Sequence, residues 1–161
     1  MRIRRFAPVF LAALCFGGAP PSTPSLSERL VGTWRIVAHQ ERKSSDEKWK
    51  DLYGSDPRGY LMYDQTGHMS VQITRVPRPR FTGREGDPTP QEALDAVNGY
   101  VAYFGTFSVN EKTGVVTHHV ESGLWPDYIG TDQERPATLE GDRLTLSDGK
   151  TWRVVWARVL R

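Results

Sequence analysis

The chain has 161 residues, the length of one compact domain. Hydrophobic residues make up 38% and charged residues 25%, the balance of an ordinary globular chain rather than a disordered one. Lys and Arg number 21 against 19 acids, but Arg2, Arg4 and Arg5 fall in the first 25 residues, which hold no acid; the remainder carries 18 bases and 19 acids, so no basic surplus for nucleic acid is expected.

Met1 to about Pro24 has the layout of an export signal. Three arginines precede an apolar stretch from Phe6 to Phe16, followed by Gly17-Gly18-Ala19 and the breaker run Pro20-Pro21-Ser22-Thr23-Pro24. The stretch is shorter than the roughly 20 residues a permanent membrane helix needs. The division expected is therefore a leader over 1–25 and a domain over 26–161, exported to a periplasm or secreted, with no stable membrane insertion. Cys15 is the only cysteine and Leu14 precedes it, whereas lipid attachment asks for a small residue there, so no anchor at Cys15 is expected. A body cut after Cys15 forms no disulfide and must be held by its core.

From residue 31 onward, alternation of apolar and polar residues dominates. Val31 to Glu41 predicts a first strand, with Trp34, Ile36, Ala38 and Gln40 on one face and Arg35, Val37, His39 and Glu41 on the other. A short strand around Trp49–Tyr53 follows a polar run. Gly59–Tyr63 and His68–Thr74 then flank the hairpin loop Asp64-Gln65-Thr66-Gly67. Residues 75–90 carry Pro77, Pro79, Pro88 and Pro90 and no regular pattern. Thr89, Pro90 and Glu92 then mark a helix start by a capping box, and Asn98-Gly99 ends the helix. Strands are expected again over Ala102–Val109, Val115–Glu121, Thr131–Leu139, Arg143–Ser147 and Thr151–Val159. The loop Ser122–Gly130 carries Trp125, Pro126 and Tyr128. Eight to nine strands in meander order, with one short helix, predict an all-β antiparallel barrel or sandwich.

Several stretches carry a resemblance. Leu30-Val31-Gly32-Thr33-Trp34 opens the first strand, and Asp56-Pro57-Arg58-Gly59-Tyr60-Leu61-Met62-Tyr63 and Gly67-His68-Met69-Ser70-Val71-Gln72-Ile73 follow. Further on come Val116-Thr117-His118-His119-Val120-Glu121, Gly130-Thr131-Asp132-Gln133 and Leu139-Glu140-Gly141-Asp142-Arg143-Leu144-Thr145-Leu146. Together they resemble the bacterial and fungal lipocalin-like domain proteins over roughly residues 27 to 159. The resemblance implies a lipocalin-like β-barrel of the calycin type. It also implies a closed barrel end at Gly32 and Trp34, capped by an arginine of the last strand. Trp152, Val154, Trp156 and Arg158 share a face there, which makes Arg158 the partner and excludes Arg153.

Candidate site residues are few. His118 and His119 are adjacent on a strand and point to opposite faces, so they cannot share a metal. With four histidines and no body cysteine, neither a metal nor another cofactor is expected. If Thr117, His119 and Glu121 face inward, His119 and Glu121 form an acid/base pair, with Tyr103 as a third proton-transfer group. If Val116, His118 and Val120 face inward, that pair is solvent-facing. Arg135 on the next strand is placed to pair with Glu121 in either case. Tyr60, Tyr63, Tyr103, Phe107 and Trp125, with His119 and Arg135, are the expected ligand-lining set, since aromatic rings with polar tips line small barrels. Arg58 in its turn is a minor candidate for holding an anion. The leading expectation is an exported, non-catalytic binder of one small hydrophobic molecule. A barrel enzyme of the isomerase, cyclase or hydratase type and a filled barrel acting as an interaction module are the alternatives.

Overall fold

Alternate side chains turn inward along most of the nine strands, and five of the connections are short polar turns or loops between neighbouring strands. The computed structural model describes residues 23–84 and 86–160, so residues 1–22 of the expected leader, Cys15 among them, lie outside the described residues. The strands are β1 (Gly32–Glu41), β2 (Lys50–Asp51), β3 (Arg58–Tyr63), β4 (His68–Thr74), β5 (Tyr100–Asn110), β6 (Val115–Gly123), β7 (Asp132–Glu140), β8 (Arg143–Ser147) and β9 (Trp152–Arg158). All neighbours pair antiparallel, and β9 returns to pair with β1 from Trp34↔Arg158 to Glu41↔Trp152. Eight strands thus close a barrel, and β2 is an extra strand beside the far end of β1.

The turns fold for local reasons. In the β3–β4 hairpin, Asp64 Oδ1 accepts from the backbone N–H groups of Thr66 and His68 at 2.8 and 2.9 Å. In the β8–β9 turn, Asp148 Oδ1 accepts from Lys150, Thr151 and Trp152 at 2.8 to 3.0 Å. The loop after β6 holds one short 3-10 turn, Pro126–Tyr128.

Two helices flank the barrel. The expected one, α2 (Pro90–Asn98), is capped by the reciprocal Thr89–Glu92 bonds, but it buries no residue. Its apolar stripe stays outside the core, with Leu94 52% exposed. The other, α1 (Leu26–Leu30), is five residues long and has no sequence expectation behind it; Ser25 and Glu28 form its capping box. Leu30 is fully buried, and Glu111 accepts from the N–H groups of Leu26 and Ser27 at 2.8 Å each. Among the described residues no helix is long and apolar enough to cross a membrane.

The closed end is built as the resemblance implies. The Arg158 guanidinium lies 4.1 Å from the centre of the Trp34 ring, and Trp34 Nε1 donates to the Leu30 carbonyl at 2.8 Å. Arg158 also donates to the carbonyls of Val31 (3.1 Å) and Arg29 and pairs with Asp142 at 3.4 Å. Gly32 faces this side chain, since a Cβ there would lie 3.0 Å from Arg158 Nη1. Arg153 points outward onto Trp49.

Two bulges change which residues face inward. β1 shifts register between Ile36 and Ala38, so Val37 is the extra residue and the alternation reverses after it. Gln40 therefore faces out, bonded to Asp51 and Arg153, and His39 faces in against Tyr53, opposite to the strict alternation of the sequence. β6 carries the second bulge at Glu121, opposite Phe104 and Gly105. Gly105 is required there, because a Cβ at this position would stand 1.9 Å from the His119 carbonyl oxygen.

Candidate functional site

The facing of β6 decides where the polar chemistry lies. Val116, His118 and Val120 are buried at 0%, 1% and 3% exposure, and they alternate with outward residues. His119 and Glu121 are therefore on the outer surface, and the inward acid/base pair does not exist. His119 instead bridges Ser108 (Nε2 to Oγ, 2.9 Å) and Asp132 (Nδ1 to Oδ1, 2.7 Å) across three strands. This serine–histidine–aspartate line sits on the open face of the sheet. The two surface hollows below are lined by other residues.

Inside the barrel, His118 is held by two tyrosines from different strands. Tyr63 on β3 meets Nε2 at 2.6 Å, and Tyr103 on β5 meets Nδ1 at 2.9 Å. Burial holds His118 neutral, lowering its pKa to about 3, and the nearby Arg135 charge works in the same direction. A neutral imidazole has one N–H and one acceptor nitrogen. Tyr63 is wholly enclosed and has no bond besides this one, so the arrangement that strands no hydrogen has Tyr63 donating to Nε2. The Nδ1–H then donates to the Tyr103 oxygen. Tyr103 is left with its own O–H free, at the end of the chain nearer the mouth. Burial raises the pKa of both phenols, so both stay protonated at neutral pH.

Arg135 and His39 extend the cluster toward the mouth. On β7, Gln133, Arg135, Ala137 and Leu139 face inward and keep partial exposure along the whole strand. The opposite wall is packed solid, with Leu61, Tyr63, Met69, Val71 and Ile73 all at 4% exposure or less. The inward side chains are thus packed tightly on β3 and β4 and less tightly on β7. The Arg135 guanidinium lies 5.2 Å from the Trp152 ring centre. His39 sits against Tyr53 at 5.3 Å between centres, and burial lowers its pKa to about 4. Tyr128, from the loop after β6, stands edge-on to Tyr103 at 5.9 Å.

Of the expected ligand-lining set, Tyr63, Tyr103, Phe107 and Arg135 converge inside, with Phe107 and Tyr63 4.6 Å apart. Trp125 is on the loop beyond β6 and 37% exposed. Tyr60 faces outward at 48% exposure, because β3 turns Leu61 and Tyr63 to the core, and His119 is outward for the reason given. Arg135 and Glu121 lie on opposite faces and do not pair. Arg58 is exposed beside Asp56 at 3.6 Å. His39 was hidden from sequence reasoning by the bulge at Val37, which reverses its side without any marker residue. His118 was legible as an inward residue from its apolar neighbours Val116 and Val120.

A larger hollow, about 1070 Å³, lies outside the barrel between the proline-rich loop and α2, lined in part by Arg75, Arg78, Arg80, Phe81 and Glu92. Another of about 390 Å³ lies along β4 to β6 beside Phe104. The first is walled by exposed loop side chains and holds no buried polar group, so it lacks the convergence of polar atoms that marks the barrel interior. Among the described residues no three His, Cys, Asp or Glu side chains stand close enough to hold a metal.

Comparison with known proteins adds two findings. A family model described as a lipocalin-like domain matches residues 31–159. A curated relative in Aspergillus oryzae (strain ATCC 42149 / RIB 40), the 4'-hydroxy-3'-methoxypropiophenone carrier protein ppsC, is 38% identical over 86 residues, which are 49% of this chain and 78% of that protein.

Proposed function

This chain belongs to the lipocalin-like domain family, and from that premise we propose that it is an exported, non-catalytic carrier of a small, mostly apolar molecule bearing an oxygen acceptor. The observation that carries the reading is the chain Tyr63–His118–Tyr103, which delivers one free O–H to the half-exposed interior beside β7. Apolar and aromatic side chains around it (Phe107, Tyr128, Trp152) supply burial for a ring or alkyl group, and the hydroxyl fixes a carbonyl or phenol oxygen. The ligand named for the fungal relative is an aryl ketone with a phenol, which has both features. Export rests on the leader pattern over 1–25. The enzyme alternative loses its expected base and acid, since His119 and Glu121 face solvent.

The test is titration of the protein with an aryl alkyl ketone, read by tryptophan fluorescence, together with native mass spectrometry of the protein from its own host. Binding at one per chain is expected. Tyr103→Phe should weaken it by about tenfold, the value of one neutral hydrogen bond in a dry site. Tyr63→Phe should lower stability more than affinity. Equal affinity in Tyr103→Phe and wild type would remove the hydroxyl from the site, and no uptake of any apolar probe would sink the carrier reading.

A further inference from the structure

Arg135 is a cation on the inner wall of the barrel with no acid beside it. Among the described residues the close contacts between basic and acidic side chains are His39–Glu41, Arg58–Asp56, His119–Asp132 and Arg158–Asp142, and none includes Arg135. Its guanidinium makes two hydrogen bonds within its own strand, Nη1 to the Glu134 carbonyl at 3.0 Å and Nη2 to Gln133 Oε1 at 3.1 Å, and it also reaches the Tyr103 hydroxyl oxygen. A guanidinium has five N–H donors, so two remain for another partner. The contrast with Arg158 is direct, because that arginine, at the closed end, meets Asp142 and two carbonyls.

The groups that face Arg135 are uncharged, and the Glu41 carboxylate stands 4.0 Å from the Nε2 of His39. Tyr103 turns its free O–H to the same space, Trp152 offers a ring face, and His118 and His39 are both kept uncharged. His39 Nδ1 is buried and without a hydrogen-bond partner. A half-buried cation without a counter-charge attracts an anion more strongly than one in open water does. One oxyanion placed against Arg135 and Tyr103 supplies that counter-charge.

We propose that the space between Arg135, Tyr103 and His39 is an anion subsite, and that the preferred ligand carries an acidic oxygen, a carboxylate or an ionised phenol, as the counter-ion of Arg135. This rests on the carrier reading and narrows its ligand class. The apolar part of such a molecule lies toward Phe107 and the inner face of β7, and its charged end lies toward the mouth, where its remaining hydration is least disturbed.

The experiment compares two probes of equal shape, 3-phenylpropanoate and 3-phenylpropanamide, binding to the full-length protein at pH 7 by calorimetry, with propiophenone as a neutral control. The acid should bind at least about tenfold tighter than the amide, as charge-assisted hydrogen bonds exceed neutral ones. In Arg135→Met the ratio of the two affinities should collapse to about one, and in Arg135→Lys, which keeps the charge but not the fork, it should fall between. An acid that binds no tighter than the amide while propiophenone binds overturns the subsite and leaves the carrier reading standing. A preference that survives in Arg135→Met also overturns it. Failure of all three probes to bind overturns both. The wild-type comparison decides even if the variants do not fold.

Discussion

His118 is the buried polar side chain of a core otherwise made of Leu, Ile, Val, Met, Trp and Tyr, and its cost is met by two tyrosine hydroxyls. That solution works only for the neutral ring. Unfolded, His118 and His39 both titrate near the ordinary 6.5; folded, burial lowers them to about 3 and about 4. The unfolded state therefore binds more protons between these limits, so stability is complete above about pH 6.5 and is lost as pH falls below it. Each histidine should contribute a slope of about 1.4 kcal/mol per pH unit once its unfolded form is protonated. Denaturant unfolding at pH 7.5, 6.0 and 5.0 measures it. The carboxylates held low by backbone bonds, Glu92 and Glu111, add to the loss only as pH falls through their unfolded value of 4.5, below the measured range of pH 7.5 to 5.0. His118→Gln should cut the slope between pH 6 and 5 to about half. A wild type equally stable at pH 7.5 and 5.0 would mean that the rings accept protons in place.

At the scale of the strand, the two arginines of β9 lie on opposite faces and should behave differently. Arg158 stacks on Trp34, holds the carbonyls of Val31 and Arg29, and pairs with Asp142. Arg153 lies on the outside between Gln40 and the Trp49 ring. Arg158→Ala should cost about 2–4 kcal/mol, since the Trp34 ring loses its stacked cation and the carbonyls of Val31 and Arg29 lose their donor. Arg153→Ala should cost about 1 kcal/mol or less. At about 4 °C per kcal/mol for a chain of this size, a melting curve separates them readily. Equal shifts would mean that Arg158 does not close the barrel. The same strand shows what a sequence makes legible. Alternation over Trp152, Val154, Trp156 and Arg158 holds because β9 has no bulge, so its faces follow from counting by two. β1 and β6 each carry one extra residue, and there counting by two fails beyond the bulge. Nothing in Ile36-Val37-Ala38 announces the shift, because it answers to the curvature of the closed barrel rather than to any side chain. Half of the candidate site, His39 and its neighbours at the mouth, was hidden for that reason. The other half, Tyr63, Tyr103, His118 and Arg135, lies before or between the bulges and follows from alternation alone.

Across the whole molecule, the strand order was readable because most strands are locally patterned and bounded by turns with their own chemistry, and the closing arginine because the family resemblance implies one on the last strand and alternation selects Arg158. The beginning of the folded unit was readable only in part. Ser25-Leu26-Ser27-Glu28 carries the capping-box pattern, yet a helix of five residues has too few turns to show an apolar period against the proline run before it. Its placement nevertheless matters to the barrel as a whole. Leu30 is fully enclosed, its carbonyl accepts from the Trp34 indole, and the carbonyls of Arg29 and Val31 accept from Arg158. Glu111, from the turn after β5, holds the first N–H groups of α1. The closed end is thus sealed by a segment that lies outside the β-sheet, and the folded unit should begin at Ser25 rather than at the first strand. A chain beginning at Ser25 should melt where the full chain does. A chain beginning at Gly32 should lose about 4 kcal/mol or more, from the emptied Leu30 site and the carbonyls withdrawn from Trp34 and Arg158. Thermal melts of the two truncations beside the full chain decide it: equal melting points for both would show that the sheet closes its own end without α1. A loss already present in the chain that begins at Ser25 would place part of the folded unit upstream of α1.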